Sequence, residues 1–193
     1  MRIIAGELRG RRLQTPKGRN IRPTSDRVRE AIFNVIAAWV AEANVLDLFA
    51  GTGALGLEAL SRGAARATFV DNHSEAIRLI KENISLCGVK DRTVVMHREI
   101  LPSLSVLAAQ PANSARFDLV FLDPPYGKNQ VPAVLELLTA LNLVPTTAVA
   151  VVEHHRQDAI PSRCGNWHKT KERRYGDTVI SYFSCESANI LPT

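Results

Sequence analysis

The chain has 193 residues, of which 46% are hydrophobic and 22% are charged, a composition typical of soluble globular proteins with one apolar core. Its sequence contains no apolar run of the roughly 18 residues that a membrane helix requires, and residues 1–7 lack the apolar core of a signal peptide. The three cysteines are far apart and the five histidines lack the spacing of metal ligands. We therefore expect a cytoplasmic protein without a metal, and the net charge of +5 favours an acidic partner.

The N-terminal segment is the most basic part of the chain. Nine of the first 29 residues are Arg or Lys and two are acidic, and a second basic cluster occupies residues 169–174. Glycines and a proline predict an extended or hairpin-like arm over residues 1–22. Clustered arginines are typical of phosphate contact in nucleic-acid binding, although two solvated faces remain the alternative. The predicted RNA contacts are Arg9, Arg11, Arg12, Arg22, Arg27, Arg29 and Arg174.

An amphipathic helix follows the arm. Pro23, Thr24 and Ser25 offer a helix start. Apolar residues then recur at helical spacing, which predicts one buried stripe formed by Val28, Ile32, Val35, Ile36 and Trp39. Arg27, Arg29 and Glu30 fall off that stripe, so we expect them to face solvent or a ligand.

Strands and helices alternate after residue 44. Short apolar runs predict strands at 45–49, 67–70, 93–96, 117–122 and 148–152, and helices are predicted at 54–62, 74–86, 101–109 and 131–141. Because these strands are apolar throughout, both faces of the sheet should be covered by helices, as in a doubly wound, mostly parallel α/β fold. Residues 168–174 and 178–184 predict a closing antiparallel hairpin around a turn at 175–177.

A glycine-rich loop joins the first predicted strand to the first helix of this region. Gly51, Gly53 and Gly56 have the spacing of a nucleoside-cofactor loop, and Asp71 follows Gly51 by twenty residues, at the end of the next strand. Such loops bind their cofactor at the carboxyl ends of parallel strands. The pattern alone would also fit a dinucleotide.

Asp47, just before this loop, helps to distinguish the two cofactors. A carboxylate would repel the pyrophosphate of a dinucleotide but would attract the cationic ammonium and sulfonium groups of S-adenosylmethionine. The alternative is that Asp47 only caps the glycine turn. We expect Asp71 and Asn72 to contact the ribose and Glu99 to contact the adenine. The predicted cofactor-binding residues are Asp47, Phe49, Ala50, Gly51, Thr52, Gly53, Asp71, Asn72, Glu99 and Asp123.

The fourth predicted strand ends in Asp123, Pro124, Pro125 and Tyr126, which we predict to be catalytic. The prolines lack backbone N–H groups, so their carbonyls remain available as acceptors. The Asp123 carboxylate and the Pro124 carbonyl would accept hydrogen bonds from an amino group on a planar base and stabilise the charge that develops there. Tyr126 would stack on the base, and a target within paired RNA would have to be flipped out.

Several segments resemble the RsmD-type bacterial 16S rRNA guanine(966)-N2 methyltransferases. The resemblance covers residues 2–6, 9–11 and 22–34, the segment 47–63, residues 123–126, and residues 174–178 in the hairpin. It implies a class I methyltransferase (Rossmann-like) fold with a seven-stranded sheet, in which residues 1–43 form an RNA-binding extension and residues 44–193 the S-adenosylmethionine-dependent domain. It also implies action on 16S rRNA within an assembled or partly assembled small ribosomal subunit. Separately, we expect a monomer.

Other activities fit the residue pattern apart from this resemblance. The acceptors of the Asp-Pro-Pro-Tyr segment suit guanine N2, adenine N6 or cytosine N4, so a DNA adenine-N6 methyltransferase is the nearest alternative; the chain has little length for a DNA-reading region. Methylation of a protein glutamine amide is disfavoured by the basic arm. A non-catalytic nucleotide- or nucleic-acid-binding protein of the same fold is disfavoured by Asp47 and by residues 123–126.

Overall fold

The computed structural model describes residues 1–16, 25–110, 116–125, 127 and 129–186. These residues form a twisted sheet with helices on both faces and a short N-terminal arm against one of the helical layers. Among them there is no helix whose length and apolar character would allow it to cross a membrane.

The sheet has eight strands in the order β3-β2-β1-β4-β5-β8-β7-β6. The first five in this order are parallel and the last three join by antiparallel pairing. The strands are β1 (Asn44–Leu48), β2 (Arg66–Asp71), β3 (Thr93–His97), β4 (Leu119–Leu122), β5 (Val149–His155), β6 (Arg163–Cys164), β7 (Trp167–Tyr175) and β8 (Thr178–Cys185). The order in which strands are added to the sheet reverses between β1 and β4. The carboxyl ends of these two strands therefore border the crevice where such folds bind ligands.

Within the described residues, five α-helices cover the two faces: α1 (Asp26–Val35), α2 (Ala54–Ser61), α3 (Ser74–Cys87), α4 (Ile100–Ala108) and α5 (Val131–Ala140). Helices α1, α2 and α3 share one apolar cluster with the side chains of one sheet face, and α4 and α5 share a second cluster with those of the other. Along β1, for example, Val45 belongs to the first cluster and Leu46 to the second, as the alternation of side chains along a strand requires. The predicted doubly wound α/β fold is confirmed.

Two details of the sequence prediction are wrong. The sheet has an eighth strand, because the two residues Arg163–Cys164 pair with the start of β7; a pair this short has no periodicity to reveal it. Trp39 is not part of the buried stripe and is 46% exposed. Helix α1 ends at Val35, and Trp39 follows in a short 3₁₀ turn, Ala37–Trp39, where the helical period no longer decides which side chains are buried. A second 3₁₀ turn spans Lys90–Arg92.

The predicted arm is hairpin-like over residues 1–13. Arg2 and Arg12 form an antiparallel bridge, and the Ile3 amide donates a hydrogen bond to the Arg11 carbonyl at 2.9 Å. Ile3 and Leu13 are buried in the same apolar cluster as α1, α2 and α3. The arm therefore packs on the main core. The functional boundary near residue 43 stays a prediction.

Candidate active site and RNA-facing surface

The glycine-rich loop contains two glycines whose backbone conformation other residues adopt only with strain. It runs from β1 into α2 with positive φ at Phe49 (58°), Gly51 (56°) and Gly53 (75°), and non-glycine residues rarely adopt such values. A Cβ atom added to Gly51 would have only the Phe49 carbonyl oxygen nearby, at 4.0 Å. The backbone at Gly51 therefore borders open space, which a bound molecule can approach closely.

Asp71 fixes the conformation of this loop. Its carboxylate is buried at the end of β2, where Oδ2 accepts a hydrogen bond from the Gly51 amide at 2.9 Å and Oδ1 accepts one from the His73 amide at 2.8 Å. Each carboxylate oxygen has a further lone pair with which to accept from a ligand hydroxyl. The predicted ribose contact remains a prediction, and the structure adds a positioning contact that the sequence spacing did not indicate.

Asp47 contacts the first turn of α2. Its Oδ2 accepts a hydrogen bond from the Gly56 amide at 2.9 Å, which is the capping contact considered as its alternative role. Burial raises the pKa of Asp47 to about 8, although the Gly56 hydrogen bond opposes the shift. A nearby cation would stabilise the ionised form of this buried carboxyl group. The Gly56 backbone is needed for packing, since a Cβ atom there would lie 2.4 Å from Cε1 of Phe69.

Asn72 and Glu99 come together beyond the ends of β2 and β3. The Asn72 side-chain amide donates to Oε1 of Glu99 at 2.9 Å, and both side chains are exposed. The Asn72 carbonyl lies 3.1 Å from Nε2 of His97. The sequence proposed these two residues separately, and the structure places them as one polar pair on the same side of the glycine loop.

Asp123 lies between β1 and β5 at the carboxyl edge of the sheet. The register pairs Leu122 with Leu48 on one side and with Val152 on the other, which places Asp123 beside Phe49 and Glu153. The Asp123 side chain is half-buried; burial raises its pKa well above the usual range, and the charges of Glu153 and Asp47 raise it further. Three carboxyl groups therefore share one low-dielectric region, where a cation would relieve their mutual repulsion.

Glu153 is the third residue of this carboxylate cluster, and the sequence analysis did not identify it. It is buried in β5 directly after the apolar run 148–152. A charged residue at the carboxyl end of a buried strand is the signal that would have identified it, because parallel strands present such positions at one edge.

The loop after β4 continues along a cavity of about 210 Å³ on the β5 side. Pro124 is buried and Pro125 exposed, and both line this cavity with Gln130 and His154. The Gly127 amide donates to Oδ1 of Asp158 at 3.2 Å, which ties the loop to the segment after β5. The predicted stacking residue, Tyr126, lies outside the described residues, as does the predicted RNA contact Arg22.

Most of the predicted RNA-binding arginines lie on the surface. Those in the described part of the chain that are exposed are Arg9, Arg11, Arg12, Arg27 and Arg174. In the residues that the structure describes, no His, Cys, Asp and Glu side chains cluster in a way that could hold a metal ion.

The prediction that Arg29 faces solvent or RNA is wrong. Arg29 is fully buried, and its guanidinium forms ion pairs with Asp26 at 3.0 Å and with Glu58 at 3.8 Å. Its Nη2 also donates to the Arg2 carbonyl. Helical periodicity placed Arg29 off the apolar stripe but could not show that the arm covers this side of α1.

Glu58 is the buried centre of the arm's attachment, a role that no sequence pattern indicated. Its carboxylate accepts hydrogen bonds from the Ile4 amide at 2.8 Å and the Ala5 amide at 3.0 Å, and from Nε of Arg62 at 2.8 Å. A buried carboxylate needs such partners. One turn further along, Ser61 contacts the turn of the arm: the Glu7 amide donates to the Ser61 carbonyl at 2.8 Å.

The chain matches a family model described as conserved hypothetical protein 95 over residues 1–184. It belongs to that family. The predicted resemblance to RsmD-type proteins is confirmed by a Haemophilus influenzae relative named ribosomal RNA small subunit methyltransferase D, which is 36% identical over 94% of this chain and 91% of its own. The solved structure of the Escherichia coli yhhF protein is similar with a TM-score of 0.81 at 33% identity, covering 96% of this chain and 98% of its own.

A more distant solved structure shares only the fold with this family member. SMU.776, crystallised with S-adenosylhomocysteine, matches with a TM-score of 0.67 at 12% identity over 85% of this chain and 50% of its own. This likeness supports the fold.

Proposed function

We propose that this chain transfers a methyl group from S-adenosylmethionine to the exocyclic N2 of a specific guanine in 16S rRNA. One observation supports the proposal most strongly. A half-buried carboxyl group with a raised pKa, Asp123, stands at the end of β4 directly before Pro124 and Pro125, next to the glycine loop and beside Asp47. The H. influenzae relative is named a small-subunit rRNA methyltransferase, which supports the same class of substrate.

The residues at the carboxyl edge fit S-adenosylmethionine. The open approach to Gly51 suits close contact with the methionine part, and the three neighbouring carboxyl groups would favour its cationic groups over the phosphates of a dinucleotide. Residues 47, 49–53, 71, 72 and 99 would hold the cofactor, with Asp71 and Asn72 on the ribose and Glu99, which Asn72 contacts, on the adenine. When bound, the cofactor would supply an electrophilic methyl group on its sulfonium sulfur, and the leaving group would be the neutral thioether of S-adenosylhomocysteine.

Asp123 and Pro124 would position the guanine amino group. The Asp123 carboxylate and the Pro124 carbonyl would accept hydrogen bonds from its two N–H groups. These contacts direct the nitrogen lone pair away from the ring and stabilise the positive charge that grows on nitrogen as the new bond forms. Burial and neighbouring carboxylates raise the pKa of Asp123, and a cationic cofactor beside it would favour the ionised form, which can accept the hydrogen bond and then the proton that the methylated nitrogen releases. Tyr126 would stack on the base.

The arm would bind the RNA backbone. Arg9, Arg11 and Arg12 are exposed along the hairpin, and Arg27 is exposed on α1. Guanidinium groups pair well with phosphates. Arg174, on the exposed part of β7, would provide a second contact in the hairpin, and Arg22 a further one.

Substrate class is tested by supplying the protein and labelled S-adenosylmethionine with small ribosomal subunits from a strain that lacks it, with naked 16S rRNA, or with DNA. We expect label in the RNA of the subunits. Label in DNA or in protein would contradict the substrate while leaving methyl transfer intact, and the Asp123→Ala variant serves as the inactive control.

A further inference from the structure

We propose that Asn83 is a positioning residue that couples RNA binding at the arm to cofactor binding at the glycine loop. The inference rests on the proposed function, because it assigns the arm to RNA and the loop to S-adenosylmethionine. It concerns a residue of α3 that contacts neither molecule in that proposal.

Asn83 connects three separate parts of the chain. Its side chain is fully buried and makes three hydrogen bonds. Oδ1 accepts from the Gln14 amide at 2.6 Å, and Nδ2 donates to the Gln14 carbonyl at 3.1 Å and to the Thr52 carbonyl at 2.9 Å. Helix α3, the arm and the cofactor loop therefore meet at one side-chain amide.

The residue type suits this contact closely. A carboxamide offers an acceptor and two N–H donors, and here both donors and the acceptor are used. Toward Gln14 it pairs with the backbone as a neighbouring strand would; toward Thr52 it holds a single carbonyl. Neither alanine nor leucine could replace these bonds, and the buried Thr52 carbonyl left unpaired would be costly.

The loop needs a restraint of this kind. Thr52 lies between Gly51 and Gly53, both with positive φ, and glycine leaves a backbone with more accessible conformations than any other residue. Asp71 restrains the loop at Gly51, while Asn83 restrains it at Thr52. Anything that shifts Asn83 therefore shifts the part of the loop that would face the cofactor.

The arm side of the same contact is next to the exposed arginines. Arg11 and Arg12 precede Gln14 by three and two residues, with Leu13 buried between them and Gln14. Phosphate contacts at these arginines would hold the arm in its docked position and thereby favour the position of Asn83 that holds Thr52. By thermodynamic reciprocity, a bound cofactor must then tighten RNA binding by the same factor.

The test measures cofactor affinity with and without RNA. Labelled S-adenosylhomocysteine, which does not react, is titrated into the full-length protein by equilibrium dialysis, alone and with saturating small ribosomal subunits from a strain lacking the protein. We expect the subunits to lower its Kd about fivefold or more. In Asn83→Ala the Kd should rise, and the ratio of the Kd without subunits to the Kd with subunits should fall to about one. Ile84→Val, the matched control, changes a buried residue of the same helix and should keep the wild-type ratio.

A second variant avoids the risk that Asn83→Ala fails to fold. Gln14→Pro removes one N–H in the exposed arm, so the Asn83–Thr52 bond can persist. We expect near-normal affinity for S-adenosylhomocysteine without RNA and a reduced ratio with it. The coupling is overturned if the subunits leave the Kd of the wild-type protein unchanged. It is also overturned if Gln14→Pro shows the same change in Kd with subunits as the wild-type protein. Subunits that do not bind the wild-type protein at all, measured by filter binding without cofactor, contradict the proposed function itself and remove the basis of the coupling.

Discussion

Gly6 allows the closest backbone approach in the arm, and replacing it should undock the arm. A Cβ atom at Gly6 would lie 1.7 Å from the Ser61 carbonyl oxygen, so the two backbones would have to separate by roughly 1.3 Å to reach a tolerable 3.0 Å contact. Such a shift would break the bonds that Ser61 makes to the arm. The Glu7 amide donates to its carbonyl, the Leu8 amide donates to its Oγ at 3.0 Å, and its Oγ donates to the Ala5 carbonyl at 2.5 Å.

Gly10 provides a matched control for this substitution. Both glycines have left-handed backbones, with φ of 82° and 83°, but a Cβ atom at Gly10 would meet nothing within 4 Å. Alanine at either position should cost about 1–2 kcal/mol of left-handed strain. Gly6→Ala should lose about 1.5–4.5 kcal/mol more, since three hydrogen bonds contribute about 0.5–1.5 kcal/mol each.

Two measurements compare Gly6→Ala with Gly10→Ala. Urea unfolding gives the free energies, and the Tm of Gly6→Ala should be lower by on the order of 10 °C. Amide hydrogen exchange at Glu7 reports the docking directly, because an undocked arm leaves its N–H exposed even when the main core stays folded. Equal stability and equal exchange in the two variants would refute the close-approach argument.

Three further predictions concern the site and the arm. Asp123→Ala should lower kcat by at least about 100-fold with little change in the Kd of S-adenosylmethionine; a lost cofactor affinity would show that Asp123 acts on the cofactor. Asp47 holds its proton more tightly in the folded protein, with a pKa of about 8, than in the unfolded chain, so its contribution to stability falls between about pH 4 and pH 8. Asp47→Asn should therefore gain stability relative to wild type as the pH rises from 5.5 to 8.5 in urea titrations, and a constant difference would contradict the raised pKa. Replacing Arg11 and Arg12 together by Gln should flatten the slope of log K for RNA against log salt by about two phosphate contacts, whereas an unchanged slope would make both arginines a solvated surface.

The order of elements could be read from the sequence because strong local signals set it. The strands β1 to β5 are continuous apolar runs, and the helices between them have clear starts and ends, so the predicted bounds differ from the observed ones by at most a few residues. The exposed position of Trp39 and the two-residue strand β6 could not be predicted. Both depend on where the chain turns, which periodicity does not encode.

The site was partly predictable for a related reason. Asp47, Asp71 and Asp123 follow or end strands of a parallel sheet, so their common edge follows from topology. Buried contacts between distant segments were not predictable. Glu58 and Arg29 pair across two helices beneath the arm, and nothing in the spacing of 29 residues indicates that contact.

The identity of the methylated nucleoside tests the central claim most directly. Small ribosomal subunits from a strain lacking the protein are incubated with the purified chain and labelled S-adenosylmethionine, and the RNA is then digested to nucleosides and analysed by mass spectrometry. We predict that the label appears in N2-methylguanosine and is absent when the Asp123→Ala variant is used. Label in N6-methyladenosine or N4-methylcytidine would contradict the guanine assignment, because the acceptors at Asp123 and Pro124 would then be holding a different base.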